Sequence, residues 1–535
     1  MKNDKKKVEV LKLIRTLILN PFNKDLPLFL VLWILISAAD FVFWILYGNP
    51  IFGFYMASHG LLMAYIVTFI SGFLSGCIGK VFRWLILILG VVNVSIDTAV
   101  HLIMKCGFTK DLVAVFMGTN ANETREFLSM YVNLKMILII FTILAFAVVV
   151  YHLSKKYFNK LRYIELIGLI LIVVCASVIF VRKSENWEGL YLMKIKTFLE
   201  YERTPNLRNY SKEYKIKKID DLPENFVFII GESLNKDHMS LYGYKKKTTP
   251  YLDSLRNKSD IIVFNNVKSS AIGTVPAFRY MMSSLRVGDR VEDWLKKDFL
   301  LDIIKSAGYN TMWISNQSSS GVHDNIVARF AELSDSVYWC GTKYMGPSKV
   351  DLDEVVFEPL KLRSNEFGNK PRFTIVHLAG NHESFRSRYS LNYEKFNEDD
   401  YFDYPENQRL VLSQYDNSII YNDYIVSSII RMFANKESIV IYMPDHSLDI
   451  YNSSSDYAGH ARAIDEKSVE AGQNIPFIIY LSPLYKQKFS YKLSSIVTSV
   501  DRKYYTENIM YSVLDLMNIS LDNDDIINYS LFRDK

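Results

Sequence analysis

The sequence predicts an α-helical membrane domain followed by an α/β domain that lies outside the bilayer. Hydrophobic residues make up 50% of the 535-residue chain, and its long uninterrupted apolar stretches crowd before residue 182. After about residue 215, short apolar runs alternate with helical patterns, as in an ordinary globular α/β domain. We therefore divide the chain into a transmembrane domain (1–182), a linker with a juxtamembrane helix (183–220) and an outer domain (221–535).

Five N-terminal stretches are each long and apolar enough to cross a bilayer. About 20 consecutive apolar residues are needed for a helix to span the hydrocarbon core. The stretches cover approximately residues 27–47, 54–78, 82–104, 132–153 and 161–181. The first lacks the short apolar centre and small-residue cleavage site of a signal peptide, so we expect it to remain as an anchor.

Lysine and arginine residues mark the segments that are expected to face the cytoplasm. They crowd the N-terminal tail, the second loop at Lys80 and Arg83, and the fourth loop from Lys155 to Arg162. An odd number of spans then carries the outer domain to the far side, which for a bacterial inner membrane is the periplasm. The net charge of +5 is largely explained by these segments and gives no reason to propose a nucleic acid partner.

Six apolar runs of the outer domain have the length and residue types of β-strands. They are Asn225–Ile230, Asp260–Phe264, Tyr309–Ser315, Arg372–Leu378, Ser438–Met443 and Pro476–Leu481. The first is nearly continuous in apolar residues, as expected for a strand that is buried on both faces of a parallel sheet. Because strands alternate with helical patterns, we expect a doubly wound sheet.

Potential metal ligands directly follow two of these runs. Glu232 comes after the first run, and Asp445 and His446 come after the fifth. Ligand-binding groups of open α/β sheets lie at the carboxyl ends of strands, so these side chains are expected to meet there. A mixture of imidazole and carboxylate favours a cation such as zinc, with positions left for a substrate oxygen and a nucleophile.

The nucleophile is expected to be a hydroxyl, because the only cysteine of the outer domain, Cys340, has no metal-like neighbours. Thr274 is a candidate, since it precedes a helix-like run that begins at Ala277. The positive end of a helix dipole favours both an oxyanion and a phosphate. The spacing equally allows Thr274 to serve only as the cap of that helix.

Several segments together resemble the phosphoethanolamine transferases of the alkaline phosphatase and sulfatase superfamily, which include enzymes that modify lipid A and confer polymyxin resistance. The resemblance lies in Gly231–Ser233, Met239–Tyr244, Thr248–Pro250, Asn265–Val267, His377–Tyr389 and the Asp445-His446 pair. With the five spans, it covers nearly the whole chain. It implies an outer domain of the alkaline phosphatase/sulfatase-like type.

The resemblance also implies roles for individual residues. Glu232, Asp445 and His446 would bind the principal zinc ion, and Thr274, also at the metal, would accept the phosphoethanolamine group. His382 and His460 would take part in catalysis, facing the substrate phosphate or a second zinc ion. The implied substrate-binding residues are His323, Asn316, His382, His460 and Glu123, the last in a polar segment near the lipid entrance.

The implied reaction moves phosphoethanolamine from phosphatidylethanolamine, through a covalent threonine intermediate, to lipid A or another lipopolysaccharide or glycan acceptor. One or two zinc ions would be bound. The chain departs from the family pattern near the nucleophile, where the lipid A enzymes have paired cysteines and this chain has Ser270 and Ala277. Ser270 is therefore the reserve nucleophile.

Three other functions remain open on sequence grounds. A related transferase could move glycerol phosphate from phosphatidylglycerol with the same metal and threonine. A membrane sensor could keep the fold without activity, although the intact set Glu232, Asp445, His446 and Thr274 argues against it. A plain hydrolase would release free phosphoethanolamine to water.

Overall fold

A computed structural model describes most of the outer domain and much of the membrane part. The described residues are 18–19, 21–22, 25–46, 50–103, 132, 134–157, 167–168, 170–172, 205–219, 221–317, 326–340, 352–363, 370–462, 465–521 and 528–533. The described residues fall into two compact units, one that extends to residue 172 and one that begins at residue 205. Glu123, His323 and most of the fifth predicted span lie outside the described residues.

Within the described residues of the N-terminal unit, four helices are long and apolar enough to cross a membrane. They are α1 (Leu26–Leu46), α2 (Pro50–Ser71), α3 (Gly76–Ile103) and α4 (Leu134–Tyr157). Large apolar side chains face outward from them, with Leu46 76% exposed and Ile78 and Leu134 each 70% exposed. Such a surface is stable against lipid and not against water. These helices correspond to the first four predicted spans.

Small and polar residues hold α1 against its neighbours. A Cβ on Gly60 of α2 would lie 2.4 Å from Ser37 Oγ of α1, so the two helices approach closely at this point. Asp40 of α1 lies 2.6 Å from His101 Nε2 of α3, and both side chains are buried. Close packing of small residues and interhelical polar contacts are the usual means of helix association in lipid.

A seven-stranded sheet forms the centre of the second unit. In chain order the strands of this unit are β1 (Lys218–Ile219), β2 (Asn225–Gly231), β3 (Ile261–Phe264), β4 (Val267–Lys268), β5 (Asn310–Ser315), β6 (Ser336–Trp339), β7 (Arg372–His377), β8 (Ser438–Pro444), β9 (Leu448–Ile450), β10 (Ala458–His460), β11 (Phe477–Leu481), β12 (Tyr504–Tyr505) and β13 (Ile519–Ser520). The spatial order of the central sheet is β3-β11-β8-β2-β7-β5-β6. All six predicted runs are therefore strands, and β6 is an additional one.

The directions of the strands determine which side chains meet at the edge of the sheet. Strands β8, β2, β7, β5 and β6 are parallel, whereas β11 runs antiparallel to both of its neighbours. Gly231 is in register with Pro444, and Ile230 is in register with His377. Consequently the chain leaves β2, β8 and β7 at adjacent points, as the doubly wound arrangement predicts.

Helices cover both faces of this sheet. The helices of the second unit are α5 (Pro250–Asn257), α6 (Thr274–Met282), α7 (Leu300–Ser306), α8 (Ile326–Ala331), α9 (Phe357–Arg363), α10 (Glu406–Met432), α11 (Glu466–Gln473), α12 (Pro483–Lys488), α13 (Ser490–Thr498) and α14 (Ile509–Leu516). On one face, Phe228 and Ile441 join the core that contains α6, α7 and α14. On the other face, the Tyr442 hydroxyl donates to Asn422 of α10 at 2.5 Å. All seven residues of β2 are buried, as its apolar run predicts.

Candidate active site and metal centre

The three predicted metal ligands converge where β2 and β8 end. His446 Nε2 lies 3.3 Å from Glu232 Oε1 and 3.7 Å from Asp445 Oδ2. Each residue has one potential ligand atom that lies within 4.8 Å of the potential ligand atoms of the other two residues. All three side chains are at least 99% buried. Residues separated by more than 200 positions therefore form one compact cluster.

The cluster fits a divalent cation on two grounds. First, Asp445 Oδ2 is buried and has no hydrogen-bond partner among the described residues, and an unsatisfied buried carboxylate oxygen is costly unless a cation binds it. Second, two carboxylates and one imidazole are a donor set that zinc favours. Glu232, Asp445 and His446 thus supply ligand atoms close enough to share a cation and the charge to hold it.

The pKa values of the three residues in the cluster are shifted by burial and by one another's charges. Burial alone would raise the pKa of Glu232, but the hydrogen bond and charge of His446 hold it well below the ordinary value. Burial and the charge of Glu232 raise the pKa of Asp445 to about 7. Burial would lower the pKa of His446, yet the two carboxylates, first Asp445, raise it to about 10. Without a cation, the imidazolium of His446 therefore neutralises its neighbours.

Three neighbouring contacts orient the ligands. His446 Nδ1 lies 2.8 Å from the carbonyl oxygen of Ser447, which favours a proton on Nδ1 and leaves Nε2 facing the cluster. The Ser233 hydroxyl donates to Glu232 Oε1 at 2.7 Å, and Gln317 Nε2 donates to Glu232 Oε2 at 3.2 Å. Sequence reasoning assigned no role to Ser233 or Gln317, because side-chain amides and hydroxyls show no pattern that predicts such a contact.

Thr274 lies beside the ligand cluster and is not the cap of its helix. The helix α6 begins at Thr274 itself, with Gly273 at the cap position and no side-chain capping hydrogen bond. The Thr274 hydroxyl is 3.4 Å from both Glu232 Oε2 and His446 Nε2. Its location on the first turn of α6 also exposes it to the positive end of the helix dipole. The capping interpretation of Thr274 therefore does not hold.

Ser270, the reserve candidate, makes contacts that hold a loop. Its hydroxyl accepts a hydrogen bond from the backbone N–H of Glu507 at 2.9 Å. Its own N–H donates to Thr506 Oγ1 at 2.9 Å. These contacts tie Ser270 to the segment before α14, whereas only Thr274 of the two contacts Glu232 and His446. The geometry therefore favours Thr274 as the nucleophile.

Two more of the predicted histidines lie beside the cluster. The ring of His460 is 5.1 Å from that of His446 and 5.6 Å from that of His382, measured between centroids. Desolvation lowers the pKa of His382 to about 4. His460 lies at the end of β10, opposite Leu448 of β9, and its Nδ1 is 2.9 Å from Glu383 Oε1.

Asn316 is placed differently from the other predicted residues. Its side-chain amide donates to Asp353 Oδ1 at 2.8 Å, and both residues are buried. Asp353 also accepts the N–H groups of Ala379 and Gly380, at 2.8 Å and 3.0 Å. Asp353 therefore links Asn316 to the turn after β7, and the neighbouring Gln317 is the residue that reaches Glu232.

The sheet and the site together define a membrane-anchored α/β enzyme with a candidate metal site beside a hydroxyl. The family model described as Sulfatase matches residues 224–519. The chain therefore belongs to the sulfatase family, within the alkaline phosphatase and sulfatase superfamily.

Comparisons with single proteins agree with this family. The chain is 28% identical over 455 residues to "Phosphoethanolamine transferase EptC" of Escherichia coli (strain K12), covering 78% of this chain and 76% of that relative. A crystal structure of the periplasmic domain of EptC from Escherichia coli in complex with zinc has 27% identity and a TM-score of 0.55, covering 60% of this chain and 89% of that domain.

The fold of the whole chain also has a counterpart among solved structures. The membrane protein lipooligosaccharide phosphoethanolamine transferase A from Neisseria meningitidis covers 96% of this chain, and 97% of its own chain is matched. The TM-score is 0.65 at 18% identity. This likeness extends the agreement in fold from the outer domain to the membrane part.

Proposed function

We propose that this protein transfers phosphoethanolamine from phosphatidylethanolamine to lipid A or to another lipopolysaccharide or glycan acceptor, through a covalent intermediate on Thr274. The observation that carries the proposal is the position of the Thr274 hydroxyl, 3.4 Å from both Glu232 Oε2 and His446 Nε2. A hydroxyl next to a candidate metal site is the arrangement that nucleophilic phosphoryl transfer requires. Similarity to a named phosphoethanolamine transferase over 78% of the chain supports the choice of the transferred group.

Zinc is the proposed metal, held by Glu232, Asp445 and His446. The donor set and the zinc complex of the related periplasmic domain support this choice. When bound, zinc supplies positive charge that lowers the pKa of a nearby hydroxyl and stabilises negative charge on a phosphoryl oxygen. One ion at these three residues is sufficient for the proposed role.

In the first half of the reaction, Thr274 Oγ1 forms a bond to the phosphorus atom of the donor. The bond from phosphorus to the diacylglycerol oxygen breaks, and that oxygen leaves with the electron pair and takes up a proton. His382 and His460 are the proposed sources of this proton and the proposed contacts of the phosphate, because the ring of His460 lies beside that of His446 and the charge of Glu232 acts on His382. The N-terminus of α6 adds favourable backbone dipoles for the phosphate.

In the second half, an acceptor oxygen attacks the phosphorus atom and Thr274 is regenerated. Both substrates are expected to be lipids or to be attached to lipids. Confinement of the enzyme to the same bilayer raises the effective concentration of both substrates at the site. The membrane helices α1 to α4 thus have a kinetic role as well as an anchoring role in this proposal.

The proposed location is a bacterial inner membrane, with the N-terminus in the cytoplasm and the catalytic domain in the periplasm. Lysine and arginine residues in the N-terminal tail and in the second and fourth loops support this orientation. The donor headgroup and the acceptor would then be reached from the outer leaflet.

The test uses the full-length protein in detergent micelles with phosphatidylethanolamine as the donor. We expect release of diacylglycerol and a protein adduct whose mass is that of one phosphoethanolamine group. Thr274→Ala is expected to remove the adduct while the bound metal is retained. Ser270→Ala is the matched control, since it removes a nearby hydroxyl that contacts Glu507 and not the ligands.

Other outcomes of this experiment would replace the proposal. An adduct that forms only from phosphatidylglycerol and has the mass of glycerol phosphate would indicate the related transferase. An adduct that persists in Thr274→Ala would show that another residue is the nucleophile. Release of free phosphoethanolamine at the same rate with and without a lipopolysaccharide acceptor would indicate a hydrolase.

A further inference from the structure

The buried carboxylate of Glu383 contacts the partly exposed side chain of His460. Glu383 Oε1 is 2.9 Å from His460 Nδ1, and it also accepts the backbone N–H of His460 at 3.1 Å. The side chain of Glu383 is 8% exposed and that of His460 is 28% exposed. A buried ionised carboxylate requires a paired donor, so the proton of His460 is favoured on Nδ1 and the lone pair of the neutral ring is on Nε2.

Both partners of this pair are held in place by the fold. His460 is fixed by the pairing of β10 with β9, opposite Leu448. Glu383 is fixed by Arg388, whose Nη2 donates to the carbonyl oxygen of Glu383 at 2.9 Å and whose Nε donates to that of His382 at 3.1 Å. A carboxylate that is fixed behind an imidazole sets the orientation and tautomer of the ring before a substrate arrives.

The neighbouring His382 has a guanidinium at its Nδ1, which lies 3.5 Å from Arg388 Nη2. The charges of both Glu232 and Arg388 act on this ring. A carboxylate can accept the Nδ1 proton of an imidazole, whereas a guanidinium is a donor and cannot. Of the two histidines, His460 is therefore the one whose Nδ1 contact is compatible with a proton carried on Nε2.

We propose that Glu383 is a positioning residue that holds His460 for proton transfer with the alcohol oxygen that leaves the donor and with the one that enters from the acceptor. This inference rests on the proposed transferase function and adds to it. It chooses His460 over His382 as the proton carrier, and it assigns a role to a carboxylate that sequence analysis did not single out.

The proposed proton transfers balance over the cycle. Thr274 Oγ1 is unprotonated when it forms the bond to phosphorus; the bond to the diacylglycerol oxygen breaks, and that oxygen receives the proton of His460 Nε2. In the second half, the acceptor hydroxyl gives its proton to His460 Nε2 as its oxygen forms a bond to phosphorus. The bond from Thr274 Oγ1 to phosphorus then breaks, and Oγ1 keeps the electron pair.

The test compares two donors that differ in how much their leaving oxygen needs a proton. Phosphatidylethanolamine has an alcohol leaving group, which needs one, and the p-nitrophenyl ester of phosphoethanolamine has a phenolate leaving group, which does not. Glu383→Ala is expected to lower the maximal rate with phosphatidylethanolamine on the order of 10²-fold, and the rate with the aryl ester by at most about a tenth of that factor. Glu383→Gln preserves the size of the side chain and is expected to show the same selectivity with a smaller loss.

The matched control is Glu394→Ala in the same segment. Glu394 is 41% exposed and pairs only weakly with Arg386 at 3.6 Å, so both donors should react as with the unaltered protein. Bound metal and thermal stability are measured for each variant. An equal slowing of the two donors in Glu383→Gln, or no slowing of either, would overturn the role of Glu383.

The same experiment separates this inference from the proposed function. If the unaltered protein reacts with phosphatidylethanolamine and the variants slow both donors equally, only the role of Glu383 is overturned. An unaltered protein that forms no adduct from phosphatidylethanolamine overturns both.

Discussion

Gly380 lies directly against the backbone of Glu232. A Cβ on Gly380 would be 2.7 Å from both the nitrogen and the carbonyl oxygen of Glu232, and Gly380 has a φ of +55°. The next residue, Asn381, donates its N–H to the same carbonyl oxygen at 2.9 Å. The turn that leads to His382 is thereby fixed against the end of β2, which the proposed metal ligand Glu232 directly follows.

Replacement of Gly380 by alanine is expected to damage the metal centre. The new side chain would meet backbone atoms of Glu232, which cannot move aside as a flexible side chain could. We expect a loss of stability on the order of 1–3 kcal/mol from strain and displacement, together with weaker metal binding. Thermal unfolding and metal content of the purified protein measure the two effects.

Gly243→Ala separates the clash from the backbone strain. Gly243 also has a positive φ, of +98°, but nothing lies within 4 Å of a Cβ built on it. This variant should lose stability through strain alone and should keep its metal. Equal metal loss in the two variants would contradict the importance of the contact between Gly380 and Glu232.

The affinity for the metal is expected to increase with pH. His446 must lose its proton to bind a cation, and its pKa is raised to about 10, so this proton is present at neutral pH. Below about pH 7 the carboxyl of Asp445 also holds a proton. The association constant should therefore rise about tenfold per pH unit above about pH 7 and more steeply below it. Competition with a chelator of known pH dependence measures this slope.

Asp445→Asn is the informative variant for the pH dependence. It removes the second titrating group and also the first of the two charges that raise the pKa of His446, so its association constant, although lower, should rise less steeply with pH than that of the unaltered protein. An association constant that does not vary between about pH 6 and 8 in the unaltered protein would contradict the protonation of His446 on which this prediction depends.

Another buried carboxylate, Asp416, forms hydrogen bonds with the segment that follows β2. His238 Nδ1 lies 2.8 Å from Asp416 Oδ1, the Tyr244 hydroxyl donates to Oδ2 at 2.9 Å, and the Tyr401 hydroxyl also donates to Oδ2. Asp416→Ala would leave these buried donors unsatisfied, so we expect a destabilisation of about 3–5 kcal/mol. Chemical unfolding of the protein measures this change.

Asp403→Ala is the control for Asp416. Asp403 is exposed and lies in the same region of the chain, just before α10. Its removal should change the free energy of unfolding by less than about 0.5 kcal/mol. A similar effect of both variants would show that the network around Asp416 does not contribute to stability.

Most strands were predictable because they consist mainly of apolar residues, as buried strands do. The run Asn225–Ile230 became β2, with one residue added, and the other five predicted strands agree within one residue at each end. Strand β6 was missed because it is short and only half-buried, at the edge of the sheet. The reversed direction of β11 was also not predictable, since an apolar run has the same pattern in either direction.

The candidate site was predictable only where ligands directly follow strands. Glu232, Asp445 and His446 come together because β2 and β8 are adjacent and parallel. Glu383 and Gln317 reach the site from turns, and the contacts of turn residues depend on packing that the sequence pattern does not specify. The motif Met239–Tyr244 supported the resemblance to the family, and the structure gives Tyr244 a stabilising contact with Asp416.

The position of the metal ion tests the central claim most directly. Crystals of the zinc-loaded protein, measured at the zinc absorption edge, should show an anomalous peak about 2 Å from ligand atoms of Glu232, Asp445 and His446. The Thr274 hydroxyl should be the nearest nucleophile to that peak. Zinc bound only elsewhere, for example between His382 and His460, with none at these three residues, would contradict the account.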